Sequence, residues 1–85
     1  MNWTLAQLEM FVLAVTQGSF SAAARKLGRA QSRVSTAIAN LETDLGFVLF
    51  DRNGKFPVLT KNGNDMFVQA QAIIEQFQRL QSRGC

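Results

Sequence analysis

Apolar residues recur at helical spacing three times before residue 46 and once more after residue 60. Leu5, Leu8, Phe11, Val12 and Val15 mark one face of a helix predicted over residues 4–17. Thr4 can cap it, and Gly18 follows where helices often stop. The segment "GSFSAAARKLG" predicts a second helix. Ser19 or Ser21 supplies its cap, Phe20, Ala23, Ala24 and Leu27 form its buried side, and Gly28 ends it. The small alanines allow a close crossing with a neighbouring helix. A third helix is predicted from about residue 31 to 45. Val34, Ile38, Leu41 and Leu45 form its inner stripe and Gly46 closes it. Only a short connection after Gly28 separates the second helix from the third, which is the helix-turn-helix pattern.

Beyond Gly46 the helical period is lost. In "FVLFDRNGKFPVLT" two short β-like pieces, residues 48–52 and 55–59, flank Asn53-Gly54. Asn-Gly is the strongest two-residue hairpin signal, because both turn positions need positive φ. Pro57 cannot donate to a ladder, so the second strand must be short or lie at an edge. Thr60 then caps a last helix of about residues 61–82. Along it Met66, Ala70, Ile73, Phe77 and Leu80 step at heptad spacing, and Phe67 and Ile74 widen the apolar face. That stripe predicts pairing with a second copy of the helix; its inner end could instead pack on the first helix.

The chain has 85 residues, enough for one modest core, so oligomerisation is an expected support. No apolar run reaches the roughly 18 residues of a membrane span. The N-terminus, with Glu9 in its apolar region and no basic leader, does not read as a secretory signal. The basic window also lacks the aromatics that a membrane-surface helix sets opposite its charge. The single cysteine, Cys85, has no internal disulfide partner. It reads as an incidental terminal residue in a reducing, cytoplasmic setting, or as part of an ending where a longer chain was cut. With no histidine, no paired carboxylates on one helix face and no phosphate loop, neither an enzyme nor a metal or cofactor site is expected.

Net charge is +3, and its distribution says more than its size. Residues 19–40 contain Arg25, Lys26, Arg29 and Arg33 and no acid. With Val34, Ile38 and Leu41 turned inward, Ser32, Thr36 and Ala39 lie opposite, flanked by Arg33, Ser35 and Asn40. Gln31 projects from the first turn. Such a face is small, polar and uncluttered, with one long cation, as entry into a major groove requires. The helix N-terminus favours a phosphate, and Arg25, Lys26 and Arg29 stand where a duplex backbone would run. A merely solvated basic face is the plain alternative. Arg52 and Lys55 bracket the hairpin tip, which reads either as a wing on the backbone or minor groove, or as an ordinary surface turn.

Several spaced matches over residues 4–64, "GSFSAAARKL", "QSRVSTAI", "LE..LG..LF.R" and "LT..G", resemble the N-terminal DNA-binding region of the LysR-type transcriptional regulators. The resemblance implies a mainly α fold with a small β-hairpin: a winged helix-turn-helix over residues 1–60, then a long linker helix over 61–85. It implies a bacterial regulator that binds double-stranded DNA at interrupted inverted repeats and forms a homodimer through the linker helix. Tetramers are usual in the family where a separate C-terminal domain senses an effector. By position, Gln31, Ser32 and Ser35 match the start of the family's recognition helix, and Arg52 matches its wing arginine. Thr36 stands where an arginine is common, Ser32 where a proline is frequent, and Arg33 where a small residue is usual. The serine is a mild change, since it also suits a first helical turn, whereas Arg33 with Thr36 implies an altered base preference.

The expected DNA contacts are therefore Arg29, Gln31, Ser32, Arg33, Ser35, Thr36, Arg52 and Lys55. The expected dimer contacts are Met66, Ala70, Ile73, Phe77 and Leu80. A helical protein-interaction module, using residues 61–82 as a coiled coil without binding DNA, is the competing reading.

Overall fold

The computed structural model describes residues 3–83, which form four helices and a two-stranded hairpin. The order is α1 (Leu5–Thr16), α2 (Phe20–Leu27), α3 (Gln31–Leu45), β1 (Phe50–Asp51), β2 (Val58–Leu59) and α4 (Lys61–Arg83). Cys85 lies outside the described residues.

The helix ends follow from local chemistry. Thr4 caps α1 through a reciprocal pair: its hydroxyl accepts from the Gln7 N–H at 3.2 Å, and the Gln7 side chain accepts from the Thr4 N–H at 2.6 Å. Ser19, rather than Ser21, caps α2 by accepting from the Ala22 N–H at 3.0 Å. Ser21 instead accepts from the Arg25 guanidinium at 3.2 Å. Gly28 adopts φ 67°, where a side chain would be strained. There its N–H donates to the Arg25 carbonyl and the Arg29 N–H to the Ala24 carbonyl, closing α2 with a paired C-terminal motif. This reversal lets α3 begin at Gln31, so α2 and α3 form the expected helix-turn-helix.

Leu27 departs from expectation. It is 37% exposed rather than buried. As the last residue of α2 it lies beyond the fully enclosed Ala23 and Ala24, and the turn at Gly28 carries the chain away without covering it.

The hairpin also differs from the expected form. Neither Asn53 nor Gly54 has positive φ, so the two-residue turn does not form. Phe50 pairs with Leu59 and Asp51 with Val58, which leaves residues 52–57 as a six-residue loop. A turn at Asn53-Gly54 would set Pro57 opposite Phe50, where it has no N–H to offer. Slipping two residues keeps the strand faces unchanged and brings Leu59 opposite the buried Phe50. The Asp51 carboxylate accepts from the Asn53 N–H at 3.0 Å, which starts the loop as a side-chain-supported turn.

The core draws on every element except β2. Leu8, Phe11 and Ala14 of α1 meet Phe20, Ala23 and Ala24 of α2, the Val34, Ile38 and Leu41 stripe of α3, Leu49 and Phe50 at the hairpin, and Ala70 of α4. Leu59 of β2 packs against it, half-buried. Four phenylalanines lock these parts edge to face. Phe11 lies 5.6 Å from Phe50 and 6.3 Å from Phe67, and Phe20 lies 5.2 Å from Phe50, centroid to centroid.

Thr60 joins the hairpin to α4. Its hydroxyl donates to the Val48 carbonyl at 2.8 Å and accepts from the Gly63 N–H at 2.9 Å, while its own N–H donates to the Leu49 carbonyl at 3.0 Å. Gly63 is buried against the segment that leads into β1: a side-chain carbon there would overlap the Leu49 carbonyl oxygen. The first half of α4 then packs on α1, with Ala70 fully enclosed and Met66, Phe67 and Ile74 half-buried. The second half extends the molecule to 44 × 27 × 21 Å.

Candidate nucleic-acid interface

The outer face of α3 carries the expected chemistry. Gln31, Ser32, Arg33, Thr36, Ala39 and Asn40 are exposed, and Ser35 is half-buried at the edge of the face. Their positions follow from the inner stripe, which fixes the rotation of the helix. Arg33 is its one long cation. Gln7 and Met10 of α1 join Ser32, Arg33, Thr36 and Asn40 around a shallow hollow, so α1 borders the face as well.

The start of α3 differs from the other helix starts. Ala30 occupies the cap position and supplies no side-chain acceptor, whereas Thr4, Ser19 and Thr60 cap the other three helices. No side chain therefore caps the positive end of the α3 dipole, where the Arg33 N–H donates to the Ala30 carbonyl at 3.0 Å. Arg29 in the turn and Arg25 and Lys26 in the last turn of α2 are all exposed nearby in the chain. Together these groups form a cationic border with no acidic side chain between residues 19 and 40.

The hairpin places its two cations differently. Lys55 is in the exposed loop, with its ammonium 5.8 Å from the Phe56 ring centroid. Arg52 is at the loop's base. Its guanidinium lies 5.2 Å from the Phe20 ring centroid and 3.6 Å from Oε1 of Glu42, leaving 45% of the side chain exposed. The other Glu42 oxygen, Oε2, accepts from the Leu49 N–H at 2.7 Å and the Phe50 N–H at 3.2 Å. Glu42 is thus an α3 residue that grips the first strand and holds the wing arginine.

The spacing of "LE..LG..LF.R" contained both partners, but Glu42 was not among the expected site residues. A signal for it existed. Glu42 stands four residues after Ile38, so it projects only about 40° from that buried side chain. An acid at that phase needs a partner.

The expected dimer stripe divides. Ala70 has no exposed surface and Met66 is half-buried, because both face the chain's own core. Ile73, Phe77 and Leu80 are 42%, 43% and 68% exposed. They share an apolar surface with Ala72, bordered by Gln69 and Gln76. Among the described residues, no group of three or more histidines, cysteines or acids is arranged to hold a metal, and no helix is long and apolar enough to cross a membrane.

Residues 5–64 match the family model of bacterial regulatory helix-turn-helix proteins of the lysR family. The chain is 48% identical over 79 residues to the HTH-type transcriptional regulator AceR of Acinetobacter baumannii, covering 92% of this chain and 27% of that protein. It is 42% identical over 76 residues to the HTH-type transcriptional regulator YeiE of Escherichia coli, covering 89% and 26%. The chain thus spans about a quarter of the length of these relatives. Its fold is similar to the BenM DNA-binding domain in a crystal structure with catB site 1 DNA, with a TM-score of 0.91 and 32% identity over 95% of this chain and 91% of that one. The corresponding domain of CbnR in its DNA complex gives a TM-score of 0.88 and 31% identity over 95% and 93%.

Proposed function

The chain belongs to the LysR family of bacterial regulatory helix-turn-helix proteins, and on that footing we propose that it binds double-stranded DNA sequence-specifically as the DNA-binding part of a transcriptional regulator. The observation that carries this reading is the outer face of α3: small, polar, exposed, bearing Arg33 and beginning without a side-chain cap. The likeness to two LysR-type domains crystallised with DNA supports it.

In this reading α3 enters the major groove. Gln31, Ser32, Arg33, Ser35 and Thr36 approach base edges, Arg29 meets the backbone, and the wing carrying Arg52 and Lys55 lies on the backbone or in the minor groove. The protein acts in the cytoplasm as a regulator, with no catalytic step of its own. Two copies join through α4 by Ile73, Phe77 and Leu80, so the two reading heads address a two-fold symmetric site. In a longer regulator, a sensing domain would add tetramer contacts. The division at residue 60 is one of role: residues 1–60 read DNA and residues 61–85 link, although the first turns of α4 share the head's core.

Incubation with a pool of random-sequence duplexes at moderate salt, followed by sequencing of what is retained, tests the reading. An enriched two-fold symmetric motif is expected. A single enriched half-site would keep the reading head and remove the dimer. Absence of retained duplex even at low salt would favour the second reading, a helical interaction module using the exposed Ile73, Phe77 and Leu80 surface.

A further inference from the structure

We propose that Glu42 is a positioning residue for DNA recognition: it fixes Arg52, and with it the wing, relative to the recognition helix on which Glu42 itself stands. The inference rests on the DNA-binding reading above and names a residue which that reading leaves unused.

Three sets of contacts carry it. Glu42 Oε2 accepts from two successive backbone N–H groups, those of Leu49 and Phe50, at 2.7 and 3.2 Å. Glu42 Oε1 faces the Arg52 guanidinium at 3.6 Å. Phe20 of α2 presents its ring to the same guanidinium at 5.2 Å, and Phe20 itself stacks edge to face on Phe50. One carboxylate therefore joins α3, the start of β1 and the wing base, while a ring from α2 backs the cation. The Glu42 side chain is 13% exposed and that of Arg52 is 45% exposed. The acid is enclosed and the cation keeps a free portion. A guanidinium has five N–H donors in a rigid fork, so an arginine held on one side still offers donors to a phosphate. Because its rotamer is already restricted, such a contact loses less conformational entropy on binding than a free arginine would.

The sign of the effect separates this proposal from plain electrostatics. Removing an acid from a DNA-binding domain raises its positive charge and, by charge alone, tightens binding to any duplex. Positioning predicts the opposite for the cognate site. In Glu42→Gln the amide still offers an oxygen to the Leu49 N–H but no longer holds Arg52 by charge. The wing base then loses its fixed relation to α3, and the cognate complex alone depends on that relation.

The test measures affinity for the duplex enriched from the random pool and for a scrambled duplex, across a salt series, in the wild type, Glu42→Gln, Arg52→Met and the double variant. Circular dichroism melts establish the folded fraction of each. The expected result is that Glu42→Gln lowers the cognate-to-scrambled affinity ratio about tenfold, with scrambled binding unchanged or tighter, and that it has no further effect on the ratio in the Arg52→Met background. Equal tightening on both duplexes would overturn the proposal, leaving Glu42 as an electrostatic brake. An undiminished loss of ratio in the Arg52→Met background would also overturn it, because Glu42 would then act through the fold and not through Arg52. If Glu42→Gln does not fold, Arg52→Lys decides: it keeps the charge and the Glu42 hydrogen bonds to β1 but removes the fork, and an unchanged ratio would overturn the proposal. Failure of the wild type to retain any duplex is a separate result, which removes the DNA-binding reading itself.

Discussion

Gly63→Ala adds one methyl group at the place where α4 meets the hairpin. The new Cβ would lie well inside 3.0 Å of the Leu49 carbonyl oxygen, with the Leu49 carbonyl carbon and Leu59 Cδ2 each at 3.0 Å. Ordinary carbon–oxygen contacts begin near 3.3 Å, so the strand or the helix must shift by on the order of 1 Å. Neither is free to move. The Leu49 side chain is fully buried, and its carbonyl accepts from the Thr60 N–H at 3.0 Å. Thr60 in turn caps the turn that contains Gly63.

Three terms set the magnitude. Alanine gains at most about 1 kcal/mol over glycine in helix propensity, and less in a first turn. Overpacking costs about 1–3 kcal/mol, and loosening the Thr60 to Leu49 bond costs a further ~1 kcal/mol. The net expectation is a loss of about 1–3 kcal/mol, which for a domain of this size lowers Tm by roughly 5–20 °C. Thermal and urea denaturation followed by circular dichroism measure it. Gly54→Ala is the control, since its nearest heavy atom would be 4.0 Å away and its φ is not positive; its change should stay within about 0.5 kcal/mol. A Gly63→Ala protein as stable as the wild type would show that strand and helix can separate without cost, and the reasoning would fail.

Three further outcomes follow from the interface. Ile73→Glu should leave the head folded, because Ile73 is 42% exposed, but should give a monomer with weakened DNA binding; a stable dimer in sedimentation velocity would sink the assigned contact. Gln31→Ala and Arg33→Ala should change base preference by about 1–3 kcal/mol if each makes a paired hydrogen bond to a base edge, and an unmoved preference in selection against random duplexes would show that these side chains only solvate the face. Arg52→Ala should weaken binding to all sequences, the cognate duplex most, and reduce the salt slope by about one, as expected for one lost phosphate contact; an unchanged slope would remove the wing arginine from the backbone.

The sequence made the three-helix head legible because each helix carries both a periodic stripe and a punctuating residue. Val34, Ile38 and Leu41 declare the rotation of α3, and Gly28 and Gly46 declare ends that need positive φ. The exposed face then follows by geometry. The hairpin was less legible because two local signals conflict. Asn53-Gly54 asks for a tight turn, while Pro57 forbids the ladder that such a turn would set, and a backbone donor missing from the ladder outweighs a turn preference. Arg52 looked like a tip cation because its neighbours in sequence are polar. Its actual neighbours, Glu42 and Phe20, come from two other elements, and no local pattern brings them together.

The heptad stripe of α4 shows why periodicity alone cannot assign an interface. Met66, Ala70, Ile73, Phe77 and Leu80 share one spacing, yet Ala70 is enclosed by the chain's own core and Leu80 is 68% exposed. A helix of 23 residues runs for roughly 34 Å, longer than α1 with its 12, so only its first half has α1 to cover it. In the proposed dimer the same helix therefore does two jobs, packing on its own head and meeting a second copy. In that dimer, folding of the head and association of two heads are separable by position: a charge at Ala70 would damage both, whereas Ile73 turns away from the core on which its neighbour Ile74 packs, so a charge there bears on association alone. That separation makes Ile73→Glu, rather than a substitution at Ala70, the variant that reports on the dimer.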